Sequence, residues 1–261
     1  MTTQYHNKLT LVSSFLLTFS LKHDAHSHKF EKDKKFSLIK LILSLLIVTL
    51  CFKILLPTFE IHFSSNVNFF LESGVAIQLY AITVLACAVI ICNKINESKN
   101  VSLLNRLNEF HFGLEHFQKR KNWKESVAEV IVGVEIMFSI FMPLYSFFLH
   151  YSPKLTAKIL LVSGFSHGTV FYFSAIIMLT EGRFLFCGLT LTKYFDYLNK
   201  RFCCYSCEKE LEVIMQKHHT LPELTKLFNK TFSVTILLLI GFYFVTLLVR
   251  VMSLYCSVFV N

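Results

Sequence analysis

Five long apolar runs constrain what this 261-residue chain can fold into more than any other feature of its sequence. The runs cover residues 36–57, 68–92, 127–149, 158–180 and 232–257. A helix needs about 20 mostly apolar residues to cross a bilayer core of ~30 Å, and each run is long enough. A segment in lipid must satisfy its own backbone hydrogen bonds, and none of the runs alternates with the period of barrel strands. The sequence therefore predicts an all-α fold, a polytopic transmembrane helix bundle.

Composition excludes the main alternatives to a membrane protein. Charged residues make up 16% of the chain, whereas roughly 25% is typical of soluble domains. The mean hydropathy of +0.53 is too high for a globule with a charged surface. A disordered chain would be rich in charge and poor in aromatic residues, which here reach 15%. The 8 Cys residues follow no regular framework, so a disulfide-stapled secreted module is also excluded.

The net charge of +9 predicts an orientation in the membrane and not a nucleic-acid partner. Of the 26 Lys and Arg residues, 21 fall before residue 36, between 93 and 126, or between 181 and 231. These three regions share one side of a five-span bundle, and the opposite loops hold only Lys154. The positive-inside rule therefore places the N-terminus in the cytoplasm. We expect a multi-pass protein of the cell membrane, with a cytoplasmic segment at 1–35 and the bundle at 36–261.

Amphipathic helices are predicted on the cytoplasmic side, because three apolar stripes recur there with helical spacing. The stripes are Leu103, Leu107, Phe110, Leu114 and Phe117; Leu191, Tyr194, Phe195, Leu198 and Phe202; and Leu211, Ile214, His218, Leu221, Leu224 and Phe228. Within the third stripe, Thr220-Leu-Pro-Glu223 matches a capping box, with Thr220 as the N-cap and Pro222 in the first turn. Spans 4 and 5 are therefore predicted to extend into the cytoplasm as continuous helices.

The N-terminal segment contains a shorter apolar stretch, residues 9–21. One Lys precedes it and no small-residue cleavage site follows, so an interfacial helix is favoured over a signal peptide. Beyond this stretch, His23, His26 and His28 are predicted to lie on a solvated tail.

The sequence contains none of the motifs that usually carry catalysis. H-E-x-x-H, G-x-S-x-G, a Gly-rich phosphate loop and a dinucleotide fingerprint are all missing, so we predict no catalytic residue, no cofactor and no metal site. The densest cysteine cluster is Cys203, Cys204 and Cys207. Free thiols in a reducing compartment are the favoured reading of it, and reversible acylation and a partial zinc site with His218 and His219 stay open.

Ionisable and polar residues inside the spans predict a ligand pocket. Each charged residue costs about 2.5–3.5 kcal/mol at a helix centre on insertion scales, so these positions carry information. With the N-terminus inside, five of them fall in the outer half of the bundle or near its midplane, and they are Glu72, Tyr145, Ser166, His167 and Arg250. They are candidates for a polar pocket that opens outward. The alternative also stays open that these residues line no pocket and instead contact lipid headgroups, snorkel to the interface or pack between helices.

The order of these features resembles the insect gustatory receptors of the seven-helix chemoreceptor superfamily. A cytoplasmic N-terminus and a striped helix between spans 2 and 3 both match. The stretch Leu191-Thr-Lys-Tyr-Phe-Asp-Tyr-Leu-Asn-Lys-Arg-Phe202 is similar to the extension of the fourth span in that family. The stretch His218-His-Thr-Leu-Pro-Glu-Leu-Thr-Lys-Leu-Phe-Asn229 is similar to the entry into its fifth span. The resemblance covers residues 36 to 261.

This resemblance implies a function and a partner set. It implies a subunit of a ligand-gated cation channel, tetrameric and homo- or hetero-oligomeric, that sits in membrane lipid and detects small-molecule tastants. It also implies two further spans after residue 261, the last of which lines the pore. We therefore expect a chain cut short before its pore, and no pore residue is carried over.

Two other classes remain as hypotheses from the sequence. A small five-span transporter or accessory membrane protein is motivated by the ionisable residues in the spans. A fragment of a G-protein-coupled receptor would need the N-terminus outside. The sequons at Asn96, Asn100 and Asn229 all fall on the predicted cytoplasmic side, so we expect none of them to be glycosylated.

Overall fold

The computed structural model of the chain describes residues 21–24, 29–32, 38–39, 41–50, 53, 69–112, 157–203 and 208–259. Its elements are two strands, β1 (Leu21–Asp24) and β2 (Lys29–Lys32), followed by helices α1 (Leu41–Leu50), α2 (Phe69–Ile95), α3 (Glu97–Phe112), α4 (Ala157–Phe202) and α5 (Glu208–Phe259). Almost all of the described residues are helical, and the predicted all-α bundle is confirmed.

The predicted spans fall on these helices wherever the structure describes them. Span 68–92 coincides with α2, span 158–180 with the first half of α4, and span 232–257 with the second half of α5. Helix α1 lies inside span 36–57, and span 127–149 lies outside the described residues. By length and composition α4 and α5 can each cross a membrane, and α2 with α3 is a third candidate if the bent pair is one span.

Helices α4 and α5 extend well past their predicted spans because each carries an apolar stripe that becomes buried. Helix α4 has 46 residues and α5 has 52. The buried members of the two stripes are Leu191, Tyr194, Leu198, Ile214, Leu221 and Leu224. The prediction of two continuous extended helices is therefore confirmed, while their placement in the cytoplasm stays a prediction.

The predicted helix start at Thr220 is wrong. Helix α5 begins at Glu208, and Pro222 lies inside it. The Thr220 hydroxyl donates to the carbonyl oxygen of Lys217 at 2.8 Å, one turn back, and so does not cap a new helix. A proline in a helix interior costs about 3 kcal/mol. Burial of the neighbouring Leu221 and Leu224 offsets that cost, and tertiary packing overrides the local signal.

Strands β1 and β2 form an antiparallel hairpin in the segment that the sequence places in a helix and a tail. The register pairs Leu21 with Lys32 and Asp24 with Lys29. Leu21 therefore begins a strand and does not end the predicted helix, whose other residues lie outside the described ones. His23 lies opposite Phe30 in the hairpin, so this position is also not part of a tail.

The buried side chains form two clusters. The first, the span core, consists of Val48, Leu85, Ala86, Val89, Ile90, Phe173, Ile176, Ile177 and Leu239. The second, the extension core, consists of Phe30, Leu103, Leu104, Leu107, Phe110, Cys187, Leu191, Tyr194, Leu198, Ile214, Leu221, Leu224 and Phe232. The extension core joins β2, α3, α4 and α5, so the hairpin is packed into the bundle.

Candidate functional site

The chain bends sharply where α2 meets α3, and we call this break the elbow. The two helices meet at an angle of 64° with Asn96 between them. The backbone N–H of Asn96 donates to the Cys92 carbonyl at 2.9 Å, and that of Asn100 donates to the Asn96 carbonyl at 2.8 Å. The Asn100 side chain donates to the same Asn96 carbonyl at 3.2 Å. The bend therefore keeps its backbone hydrogen bonds without a glycine or a proline.

Polar side chains at the elbow are buried and connect α2 to α4. Asn93 donates to the Thr180 hydroxyl at 3.3 Å, and its side-chain oxygen accepts from the Arg183 guanidinium at 2.8 Å. The Thr180 hydroxyl in turn donates to the Ile176 carbonyl at 3.0 Å. Buried polar groups need such partners, and hydrogen bonds between defined groups favour one packing of the helices. This network fixes the end of α2 against α4.

Glu97, the first residue of α3, forms ion pairs with two lysines at the elbow. Its carboxylate lies 3.0 Å from Lys32 of β2 and 3.1 Å from Lys94 of α2. Its side chain is only 3% exposed, so its charge interacts through a medium of lower dielectric than water. An acidic residue is also favoured in the first turn of a helix. One carboxylate thus joins the hairpin and both arms of the elbow.

The side chain of Asn105 on α3 binds the main chain of strand β2. The side-chain oxygen of Asn105 accepts from the Phe30 backbone N–H at 2.7 Å, and its amide donates to the Phe30 carbonyl at 2.9 Å. The Phe30 ring is buried in the extension core. At the far end of the hairpin, Lys29 lies 3.8 Å from Glu109, with both side chains exposed. The buried contacts therefore hold the strand, because exposed ion pairs contribute little.

Helices α3, α4 and α5 meet around Tyr194. Its hydroxyl donates to the Leu107 carbonyl at 3.2 Å, and its ring lies 4.8 Å from that of Phe110 between centroids. Burial raises the pKa of the Tyr194 phenol, so it stays protonated as a donor. The Lys217 ammonium of α5 lies 5.2 Å from the centre of the Phe110 ring, and partial burial lowers its pKa.

Aromatic and charged contacts join α4 to α5. Phe184 stacks on Phe228 at 5.2 Å between centroids and meets Phe232 edge-on at 5.8 Å. Near the end of α4, Arg201 pairs with Glu210 at 3.0 Å and lies over the Tyr197 ring. Together with the elbow network, which joins α2 to α4, these contacts connect α2, α4 and α5.

The five predicted pocket residues are only partly within the described part of the chain. Arg250 is exposed on α5. Glu72 on α2 and Ser166 and His167 on α4 have described backbones, but their side chains lie outside the described ones, and Tyr145 lies wholly outside. Helices α2 and α4 run parallel and α5 runs antiparallel to them, so these four helical positions fall at the same end of the bundle. The pocket stays a prediction.

The cysteine cluster is described only at Cys203, which is a free and exposed thiol just past the end of α4. Cys204 and Cys207 lie outside the described residues. Among the residues that the structure describes, no group of His, Cys, Asp or Glu is arranged to hold a metal ion. The three interpretations of the cluster remain open.

Sequence reasoning missed the elbow network. Its signal was the spacing of Asn93, Asn96 and Asn100, which places three amides on one helix face beside Glu97. Asn96 and Asn100 also belong to sequons, and both side chains are buried in the structure. The docking of Phe30 had no comparable signal, because its partner Asn105 is far along the chain.

One comparison with known proteins identifies a family. A family model described as 7tm Chemosensory receptor matches residues 10–260, which is nearly the whole chain. A search of curated proteins found no match.

Proposed function

We propose a function that proceeds from one fact: the chain belongs to the 7tm chemosensory receptor family. The proposed function is that of a taste receptor subunit in the cell membrane, in which a small tastant gates a cation channel. The family match carries this proposal. Two described helices that are long and apolar enough to cross a membrane support it, as does the bias of Lys and Arg to one side.

The proposed tastant site is the outer half of the bundle. The directions of α2, α4 and α5 support it, because Glu72, Ser166, His167 and Arg250 lie toward the same end of the bundle. Tyr145 is the fifth candidate. This end lies opposite the elbow. Because aromatic and aliphatic residues dominate the spans, an apolar bitter compound fits such a site as readily as a sugar.

The long helices supply a mechanical route from this site to the cytoplasm. At 1.5 Å per residue, a helix of 46 or 52 residues reaches roughly 70 or 80 Å. A tilt of α4 or α5 at the tastant end therefore moves the extension core at the other end. The elbow network has discrete hydrogen-bond partners, so it responds to such a tilt by repacking and not by gradual stretching.

The proposed assembly is a homo- or hetero-oligomer, a tetramer by family resemblance, surrounded by lipid. The second half of α5 supports a membrane setting because large apolar side chains are exposed along it, among them Leu237, Ile240, Phe244, Leu247 and Leu254. Cross-linking in native membranes followed by size analysis tests the oligomer. A chain that runs only as a monomer contradicts it.

Tastant binding is the direct test of the function. The chain, reconstituted in nanodiscs, is titrated with a panel of bitter compounds and sugars while its thermal stability is followed. We expect at least one compound to stabilise the chain and Arg250→Gln to abolish that shift, while Arg106→Gln, an exposed arginine near the elbow, leaves it intact. Saturable solute uptake into proteoliposomes would instead favour the five-span transporter.

The cytoplasmic placement of the elbow has a separate test. Asn96 and Asn100 are buried, so their lack of glycans says little about the side of the membrane. Cys203 is exposed, and a membrane-impermeant maleimide reports its side. We expect labelling of Cys203 only after the cells are permeabilised, with a Cys203→Ser variant in the same assay to identify the band. Labelling in intact cells overturns the orientation.

A further inference from the structure

We propose that α3 carries a recognition site for an extended peptide segment with an aromatic anchor followed by a lysine two residues later. In the structure the chain's own strand β2 occupies this site, with Phe30 as the anchor and Lys32 as the lysine. The site binds a segment of this sequence as a ligand, and not only as part of the packing within its own chain. The inference is independent of the proposed taste function.

The first element of recognition is the main chain of the ligand. Asn105 accepts a hydrogen bond from the Phe30 N–H and donates one to the Phe30 carbonyl, at 2.7 and 2.9 Å. These are the two bonds that a neighbouring strand would form with one residue of an antiparallel ladder. Strand β1 pairs with the other edge of β2, so the Asn105 side chain acts as a third strand. Only an extended backbone presents both groups in one direction.

The second element is the aromatic anchor. The Phe30 ring is only 1% exposed and lies in the extension core. Smaller or polar side chains at this position would leave an apolar hollow or an unsatisfied group. The site therefore selects a large apolar residue at the position whose main chain Asn105 binds.

The third element is charge, and it is unequal on the two sides of the anchor. Lys32 meets Glu97, whose side chain is buried, whereas Lys29 meets the exposed Glu109 at the longer distance of 3.8 Å. A buried ion pair discriminates strongly and an exposed one weakly. The site therefore specifies the lysine after the anchor and tolerates other residues before it.

Occupancy of the site also bears on the elbow. The carboxylate that receives Lys32 also pairs with Lys94 on the other arm of the 64° bend. A bound segment thus adds a charge to the same cluster that joins α2 to α3. Release of β2 removes Lys32 from Glu97 and loosens the bend.

Hydrogen exchange of the full-length chain in nanodiscs tests the site in its native arrangement. With Asn105→Ala, we expect the Phe30 amide to exchange at least tenfold faster, and the amides of residues 93–100 to exchange faster as well. The matched control is Asn229→Ala, which removes an exposed asparagine from α5 and should change neither. Amides in α4 and α5 report whether each variant is folded. Unchanged exchange at Phe30 in a folded Asn105→Ala chain overturns the proposal.

Binding in trans tests recognition itself. A labelled peptide of residues 27–34 is titrated onto the full-length Phe30→Ala chain, whose own strand lacks the anchor. We expect saturable binding, weakened at least tenfold by F30A in the peptide, less by K32A, and little by K29A. Absence of saturable binding overturns the proposal. So does equal binding of all four peptides, which would indicate non-specific attraction of charge.

Discussion

The two halves of α5 bury their residues in different ways. Between residues 208 and 231, one stripe that includes Ile214, Leu221 and Leu224 is buried, and most of the exposed residues are polar. Beyond residue 232, large apolar side chains such as Leu237 and Phe244 are exposed. In water the hydrophobic effect sorts side chains between a core and a surface, whereas in lipid it gives no such preference. The comparison indicates that the hydrophobic effect stabilises the extension core. Contacts of other kinds stabilise the packing of the spans.

The largest effect should come from truncating a buried leucine side chain in the extension core. Leu107 is 2% exposed and Leu237 is 71% exposed. We expect Leu107→Ala to lower the free energy of unfolding by about 2–5 kcal/mol, because it removes buried methyl groups and leaves a cavity. Leu237→Ala should change it by less than about 0.5 kcal/mol. Thermal unfolding of both variants in nanodiscs measures this, and equal losses would break the distinction between the extension core and the exposed apolar part of α5.

The second-largest effect should come from neutralising the buried carboxylate of Glu97. Glu97→Gln keeps the shape of the side chain but removes the charge that Lys32 and Lys94 share. We expect a loss of about 1.5–3 kcal/mol, the range for hydrogen bonds to charged groups. The control is Glu223→Gln, because Glu223 is 70% exposed and lies 3.7 Å from Arg106. That change should cost about 0–1 kcal/mol. A larger loss for Glu223→Gln would mean that the elbow is not the electrostatic centre of this region.

These predictions separate what local sequence patterns determine from what long-range contacts determine. The helices α4 and α5 follow from stripes such as Leu191, Tyr194 and Leu198, which lie within a few turns of one another. The capping box at Thr220 was an equally local signal and failed, because burial of Ile214 upstream holds that segment in the helix. The contact between Phe30 and Asn105 joins residues 75 positions apart, and that between Arg183 and Asn93 joins residues 90 apart. Hydrophobic periodicity carries no information on such pairs.

A smaller effect should follow from removing one hydroxyl within the extension core. Tyr194→Phe loses the hydrogen bond to the Leu107 carbonyl, and we expect a loss of about 0.5–1.5 kcal/mol at neutral pH. Burial raises the pKa of the Tyr194 phenol above its ordinary value of about 10. Above about pH 10 the native state keeps a proton that the unfolded state releases, so the stability of the parent chain falls as pH rises. The variant should lose less over that range. Parallel pH curves for the two chains would contradict this.

The smallest effect should come from Lys217, at the edge of the same core, and its pH dependence has the opposite sign. Partial burial lowers the pKa of Lys217 from its ordinary value of about 10.4, so the native state releases this proton first. Stability therefore rises with pH until the unfolded lysine is also neutral. Lys217→Met should change the unfolding free energy at neutral pH by less than about 0.5 kcal/mol, because relief from desolvation offsets the lost contact with Phe110.

Unfolding of Lys217→Met in the Tyr194→Phe background separates the two titrations. With the phenol gone, the remaining rise in stability toward pH 10 should belong to Lys217 and should disappear in the double variant. A rise that persists there would assign the titration to another group. In that case Lys217 would behave as a surface residue, which means that water reaches the edge of the extension core there. The boundary between buried and solvated positions on α5 would then lie closer to residue 221.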